Sequence, residues 1–169
     1  WKVHLVPFVL RVGEREFTDN EALDTGTLLE AMEACSTAAG SACPSPEAYA
    51  QQMREADESV VVTISSKLSG SYNAAAIARD MVLEESPEKK IALLDSESAT
   101  AGEVLLIHSL RRWIDEGAAF ETVVSRAQKM IREMSTLFVL ESLDNLVKNG
   151  RISKAAGLVS TMLSLRPIM

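Results

Sequence analysis

Between Val60 and Ala78 the sequence VVVTISSKLSGSYNAAAIA leaves little choice of local structure. A β-branched run, Val60 to Ile64, comes first. Ser65, Ser66, Lys67, Leu68, Ser69 and Gly70 follow, and then an alanine-rich segment. Such a run reads as a strand buried on both faces, as in a parallel sheet, and the alanine-rich segment reads as a helix. The hydroxyl-rich turn then lies at the carboxyl end of a strand and the amino end of a helix. There, free N–H groups and the helix dipole favour an anion. In open α/β sheets this position is the usual ligand crevice.

The rest of the chain supports this unit. Val3–Leu10 and Arg15–Thr18 are two strand-like runs joined through Gly13-Glu14, the pattern of a hairpin, with Pro7 marking an edge or a strand start. Thr25–Ala38 has helical spacing with Leu28, Leu29, Met32 and Cys35 or Ser36 on one face, and ends near Gly40. Two prolines force Ser41–Pro46 into an extended or turned path, and Ser45 is placed to cap a helix that has Pro46 in its first turn and runs to about Ala56. After the central strand, a helix from Ser71 turns Ala75, Ala78, Met81 and Val82 inward and ends at Ser86-Pro87. Ile91–Leu94 is a second strand, followed by Asp95-Ser96-Glu97-Ser98. Ala101–Glu116 reads as a helix with Leu105, Leu106, Leu110, Trp113 and Ile114 apolar, and Phe120–Met134 as another. Thr136–Glu141 is strand-like, a short helix precedes Asn149-Gly150-Arg151, and Lys154–Leu163 is helical again. The order strand, helix, strand, helix, helix predicts right-handed βαβ crossovers. The expected architecture is an α/β, parallel-sheet domain over residues 1–134 and the beginning of a second α/β domain over 135–169.

Composition narrows the function. The chain has 169 residues, 47% of them hydrophobic, and can bury a sizeable core. A net charge of −7 leaves no basic stripe to neutralise nucleic-acid phosphates. No apolar run approaches a membrane span. Two cysteines, Cys35 and Cys43, and two histidines, His4 and His108, form neither a disulfide framework nor a metal-ligand pattern, and such sparse cysteine fits the cytoplasm.

The serine-rich turn has two readings: a hydroxyl-rich helix cap, or a site where hydroxyls and turn N–H groups bind a carboxylate or phosphate. It lacks the spacing of a P-loop, of a dinucleotide turn and of a nucleophile elbow. A hydrolase using Ser65 or Ser66 needs a base, and His108 within an apolar helix and His4 on the first strand are both expected to be structural. Asp95 and Glu97 are read first as loop caps and second as paired carboxylates. Asp95-Ser96 belongs to the same rim as Ser65 and Ser66. Cys43 is expected to be a buried or semi-buried side chain. Arg151 is a helix-flanking charge or a fixed cation near the crevice. Met130, Met134 and Met162 are expected in the core.

Several segments together resemble the DegV family of bacterial fatty-acid-binding proteins, which includes the acyl carriers of fatty acid kinase. They are Val6-Pro7 with Gly13–Asp19, the Ser41–Pro46 turn, Ile64–Tyr72, Leu94–Ala99 with Gly102-Glu103, Gly150–Ser153 and Leu165–Ile168. The resemblance implies two α/β domains with a long-chain fatty acid between them, its carboxylate at the serine-rich turn and its tail in an apolar tunnel. It carries the head-group site onto Ser41, Ser65, Ser66, Ser69 and Gly70, with Asp95, Ser96 and Arg151 as accessory residues. The fatty acid is the ligand, a fatty acid kinase subunit the partner, and the carrier itself needs no catalytic residue, metal or nucleotide. The alternative is an α/β enzyme of acyl hydrolase or transferase type. Ala42-Cys43 replaces the family's usual Ser-Gln, and Asn149 stands where Gly is common. The chain resembles the middle of such a protein, with the family's opening strand absent before Trp1 and the family pattern continuing beyond Ile168.

Overall fold

The computed structural model describes residues 1–137 and 144–151. Their elements are β1 (Val9–Val12), β2 (Arg15–Thr18), α1 (Thr25–Ala34), β3 (Gly40–Ala42), α2 (Pro46–Arg54), β4 (Glu58–Thr63), α3 (Ser71–Glu85), β5 (Lys90–Asp95), α4 (Ala101–Asp115), α5 (Phe120–Glu133) and α6 (Asp144–Lys148). The result is the expected mixed α/β fold with parallel strand pairing. The chain divides into two units that are discontinuous in sequence. One holds Trp1–Val6 and Cys43–Thr136. The other holds Pro7–Ala42 with the described residues of Leu137–Met169, so the hairpin groups with the later part of the chain.

In the first unit, β4 and β5 pair in parallel from Glu58↔Lys90 to Thr63↔Asp95, with α3 as the crossover. Alternation along the strands sends side chains to two cores. On one side, Val61, Ile91 and Leu93 pack on Tyr49, Ala50 and Met53 of α2 and on Ala74, Ala75, Ala78 and Val82 of α3. On the other, Val60 and Val62 pack with Leu94 against Leu106 and Leu110 of α4 and Val123, Ala127 and Ile131 of α5. Four alanines in α2 and α3 let these helices lie close to each other and to the sheet. Arg54 joins them, reaching Glu85 with Nε at 2.8 Å and Glu47 with Nη1 at 2.8 Å. Ser45 caps α2 by accepting from Ala48 N–H at 3.2 Å, with Pro46 at the first turn as the sequence predicts. Trp1–Val6 is irregular. Trp1 Nε1 donates to Asp115 at 2.7 Å, His4 lies 3.7 Å from Glu55, and Val6 packs on the first core.

In the second unit, β1 pairs antiparallel with β2 on one side and β3 on the other. Gly13 has φ +59° in the turn after β1, a conformation natural to glycine. Asp24 caps α1, accepting from Gly26 N–H at 3.0 Å and from the Thr27 hydroxyl at 2.6 Å, and these bonds hold its carboxyl below the usual range. After α6, Asn149 Nδ2 donates to Ala39 O at 3.1 Å.

Several expectations shift. The first strand begins at Val9 rather than Val3, because Pro7 has no N–H to pair and the chain passes between units there. Helix α1 stops at Ala34 because Cys35 turns extended, at ψ 124°. Residues 40–42 form a strand that their small side chains do not signal. The valines of β4 are half-buried rather than buried on both faces. Met81, Trp113 and Ile114 are likewise half-buried. The strand expected at 136–141 falls largely outside the described residues, as do Met162 and everything expected over 154–169.

Leu105 is 54% exposed, whereas its neighbour Leu106 is fully buried. The orientation of α4 therefore predicts that Leu106→Ala lowers unfolding free energy by about 2–5 kcal/mol, and Leu105→Ala by about 0.5 kcal/mol or less. Urea denaturation of both variants checks this, and equal losses would contradict the helix orientation.

Candidate functional site

Because β4 and β5 end in register at Thr63 and Asp95, the two turns that follow emerge side by side. Ser96 N–H donates to Thr63 O at 3.1 Å and Ser65 N–H to Ser98 O at 2.8 Å, so main-chain bonding continues past the strand ends. Asp95 then joins the turns: its Oδ1 accepts from Ser66 N–H and from Glu97 N–H, each at 3.1 Å. This is the loop-capping role, made across two loops at once.

The serine turn winds tightly. Leu68 and Ser69 N–H both donate to Ser65 O, at 2.9 and 3.1 Å, and Lys67 N–H reaches Ser65 Oγ at 3.3 Å. Ser65 is buried, Ser69 half-buried, and Ser66 and Gly70 are exposed. Ser69 and Ser71 hydroxyls lie 2.9 Å apart, and Ser69 Oγ accepts from Ser71 N–H at 3.2 Å. Gly70 is the N-cap of α3 and offers no side-chain cap, so apart from the Ser71 N–H held by Ser69 the positive end of the helix opens at this turn. A Cβ on Gly70 would lie 3.3 Å from Cys43 Sγ, which puts that thiol beside the helix start. Cys43 itself is exposed, not semi-buried, since Pro44 rather than the thiol faces inward.

The second turn is built by Ser96, which the sequence already placed on this rim, and by Ser98, to which it gave no role. Ser98 N–H donates to Ser96 Oγ, Ser96 Oγ to Ser98 O, both at 3.2 Å, and the Ser98 hydroxyl lies 2.5 Å from that of Thr136. Glu97 and Thr100 hold φ +50° and +52°. Gly102 is the local signal of this packing: a Cβ there would stand 2.0 Å from Ser98 Oγ and 2.8 Å from its Cβ. Gly102→Ala is therefore expected to cost about 1–3 kcal/mol in thermal or urea unfolding, and adding Ser98→Ala to recover only part of it.

Of the sequence-predicted residues, Ser65, Ser66, Ser69, Gly70, Asp95 and Ser96 share this rim. Ser41, on β3 opposite Leu10, and Arg151, whose Nη1 donates to Asn149 O at 2.6 Å, belong to the second unit. His108 is exposed on α4 and His4 is paired with Glu55; among the described residues neither is bonded to Ser65 or Ser66. Met130 packs beside the second core and Met134 is half-buried. Among the described residues no group of three His, Cys, Asp or Glu side chains is arranged for a metal, and no helix is long and apolar enough to cross a membrane.

Tyr49 and Glu103 extend the rim inward. Burial pushes the Tyr49 phenol up, and a hydrogen bond with the Ser71 side chain opposes this. Burial also pushes the Glu103 carboxyl up, against a main-chain bond from Thr100. A carboxyl whose pKa rises on folding binds its proton more tightly in the folded state. Its stabilising effect is thus complete below the unfolded value, about 4.3, and is lost as pH rises through the folded one. Glu103→Gln is expected to be more stable than the parent at pH 7, with the advantage vanishing as pH falls towards the unfolded value. Urea denaturation as a function of pH measures this, and a constant difference would contradict it.

A model of uncharacterised proteins of the DegV family matches residues 1–169. A DegV domain-containing protein of Streptococcus pyogenes serotype M3 is 42% identical over 163 residues, 96% of this chain and 58% of that protein. The fatty acid kinase (Fak) B3 protein of Streptococcus pneumoniae, solved loaded with linoleic acid, superposes with a TM-score of 0.91 at 40% identity, over 96% of this chain and 58% of that one. A Eubacterium eligens protein, solved loaded with heptadecanoic acid, superposes with a TM-score of 0.85 at 32% identity, over 92% and 56%. The chain therefore spans less than two thirds of the length of these relatives.

Proposed function

The chain belongs to the DegV family, and from that premise we propose that it binds the carboxylate of a long-chain fatty acid at the serine-rich turn. The observation that carries the reading is the open start of α3: Gly70 provides no side-chain cap, and the hydroxyls of Ser66 and Ser69 stand at the same turn. A carboxylate there would accept from hydroxyls and from first-turn helix N–H groups beyond Ser71, whose own N–H goes to Ser69 Oγ, and its charge would be favoured by the helix dipole. Ser65 supports the turn from below through the two main-chain bonds to its carbonyl. In this reading Gly70 completes the head-group contacts and Ser96 is accessory. Burial of the tail supplies most of the affinity, about 0.8 kcal/mol per buried methylene.

The fatty acids in the two solved relatives support this ligand class. The kinase designation of the Streptococcus pneumoniae protein supports a finer reading: a cytoplasmic carrier, without catalysis of its own, that presents the acid to a fatty acid kinase for phosphorylation. The boundary of the second α/β domain near residue 135 belongs to the same proposal.

Ser66→Ala with Ser69→Ala is expected to weaken fatty-acid binding about tenfold or more, the loss of two hydroxyl bonds to a charged group, while leaving the fold intact. Fatty-acid titration, with circular dichroism as the control, tests it. Undiminished binding by the folded double variant would remove the head-group assignment, and a protein that neither retains nor takes up any fatty acid would remove the carrier reading.

A further inference from the structure

The rim already holds an anion of its own. Asp95 Oδ1 occupies two successive-turn donors, Ser66 N–H and Glu97 N–H, at 3.1 Å each. Clustered turn N–H groups are what phosphate-binding loops offer to their ligand. Here a protein carboxylate takes them, and an incoming head group is left with hydroxyls and the first-turn N–H groups of α3 beyond Ser71. Among residues 65–70 and 95–100 the charged side chains are Lys67, Asp95 and Glu97, and Glu103 follows in the first turn of α4. Lys67 is exposed, whereas Asp95 and Glu103 are half-buried, so the acidic charge is the less screened. The α3 terminus offsets about half a unit of negative charge. The charge of Asp95 therefore opposes any anionic head group, and opposes two charges about twice as strongly as one.

We propose that Asp95 is a specificity-determining residue: it fixes the serine turn and, through its charge, favours a monoanionic carboxylate over a dianionic head group such as a phosphate monoester. The inference rests on the carboxylate-binding reading above. It also implies that an acyl phosphate is held less tightly than the parent acid.

Asn offers the same Oδ1 acceptor without the charge. The test is to titrate hexadecanoic acid and hexadecyl phosphate into the protein and into Asp95→Asn, at low salt and a pH of about 8.5, where the phosphate monoester is doubly charged. For a unit charge about 7 Å from the head group in an aqueous dielectric, the variant should bind the acid about threefold tighter and the phosphate about sevenfold tighter. The preference for carboxylate would then fall about threefold. An unchanged preference, or equal weakening of both ligands, overturns the proposal while leaving the carrier reading in place. A parent protein that binds no hexadecanoic acid overturns the carrier reading, and this inference with it. Should the variant fail to fold, the parent decides alone: raising salt to about 1 M, with a screening length near 3 Å, should narrow the preference. A preference indifferent to salt would overturn the proposal.

Discussion

Parallel pairing of β4 with β5 is the interaction on which the rest depends. The register from Glu58↔Lys90 to Thr63↔Asp95 ends both strands at one level. That level is where the serine turn and the Asp95–Thr100 turn meet, and where α3 and α4 begin. A slip of one residue would exchange the faces of Val60, Val61 and Val62 between the two cores and carry Asp95 away from Ser66 N–H. The apolar packing that specifies this register is therefore also what positions the polar rim.

The rim satisfies its polar groups locally. Ser69 bonds Ser71, Ser96 bonds Ser98, and Ser98 meets Thr136, while Asp95 accepts from both turns. The positive φ values of Glu97 and Thr100 cost on the order of 1–3 kcal/mol each, and such conformations persist only where the surroundings impose them. Two main-chain bonds from the neighbouring strand and turn, with the Ser98–Gly102 contact, supply that imposition. A rigid loop rich in hydroxyls suits a ligand whose head group must be oriented by short hydrogen bonds while its tail contributes the bulk of the binding energy.

The elements with strong periodicity or clear caps were legible in the sequence. The valine run with its serine turn gave the strand–turn–helix unit, and Ser45-Pro46 gave the start of α2. Less was readable where small residues or long-range contacts decide. Gly40–Ala42 pairs with β1 through its backbone, and its side chains carry no strand signal. Which of Leu105 and Leu106 faces inward depends on α5, and either fits the helical spacing. In the site, Ser65, Ser66, Ser69 and Asp95 were visible because they follow strands. Ser98, Thr136 and Tyr49 were not, because their roles arise only when distant segments meet. Asp95 was read first as a loop cap, and it caps two loops, accepting from Ser66 N–H and Glu97 N–H.

The order in which the chain visits its two units has a consequence for how it assembles. Trp1–Val6 belongs with Cys43–Thr136, and Pro7–Ala42 lies between them in sequence as a guest in a host. Seating Val6 on the core of Tyr49 and Val82, and Trp1 at Asp115, requires the guest to be looped out first. The entropy of closing that loop grows only with the logarithm of its length. The host is thus tolerant of the guest's size but intolerant of its rupture. A nick within Pro7–Ala42 would turn the contacts that Val6 and Trp1 make with the host from closed intramolecular ones into a two-body association.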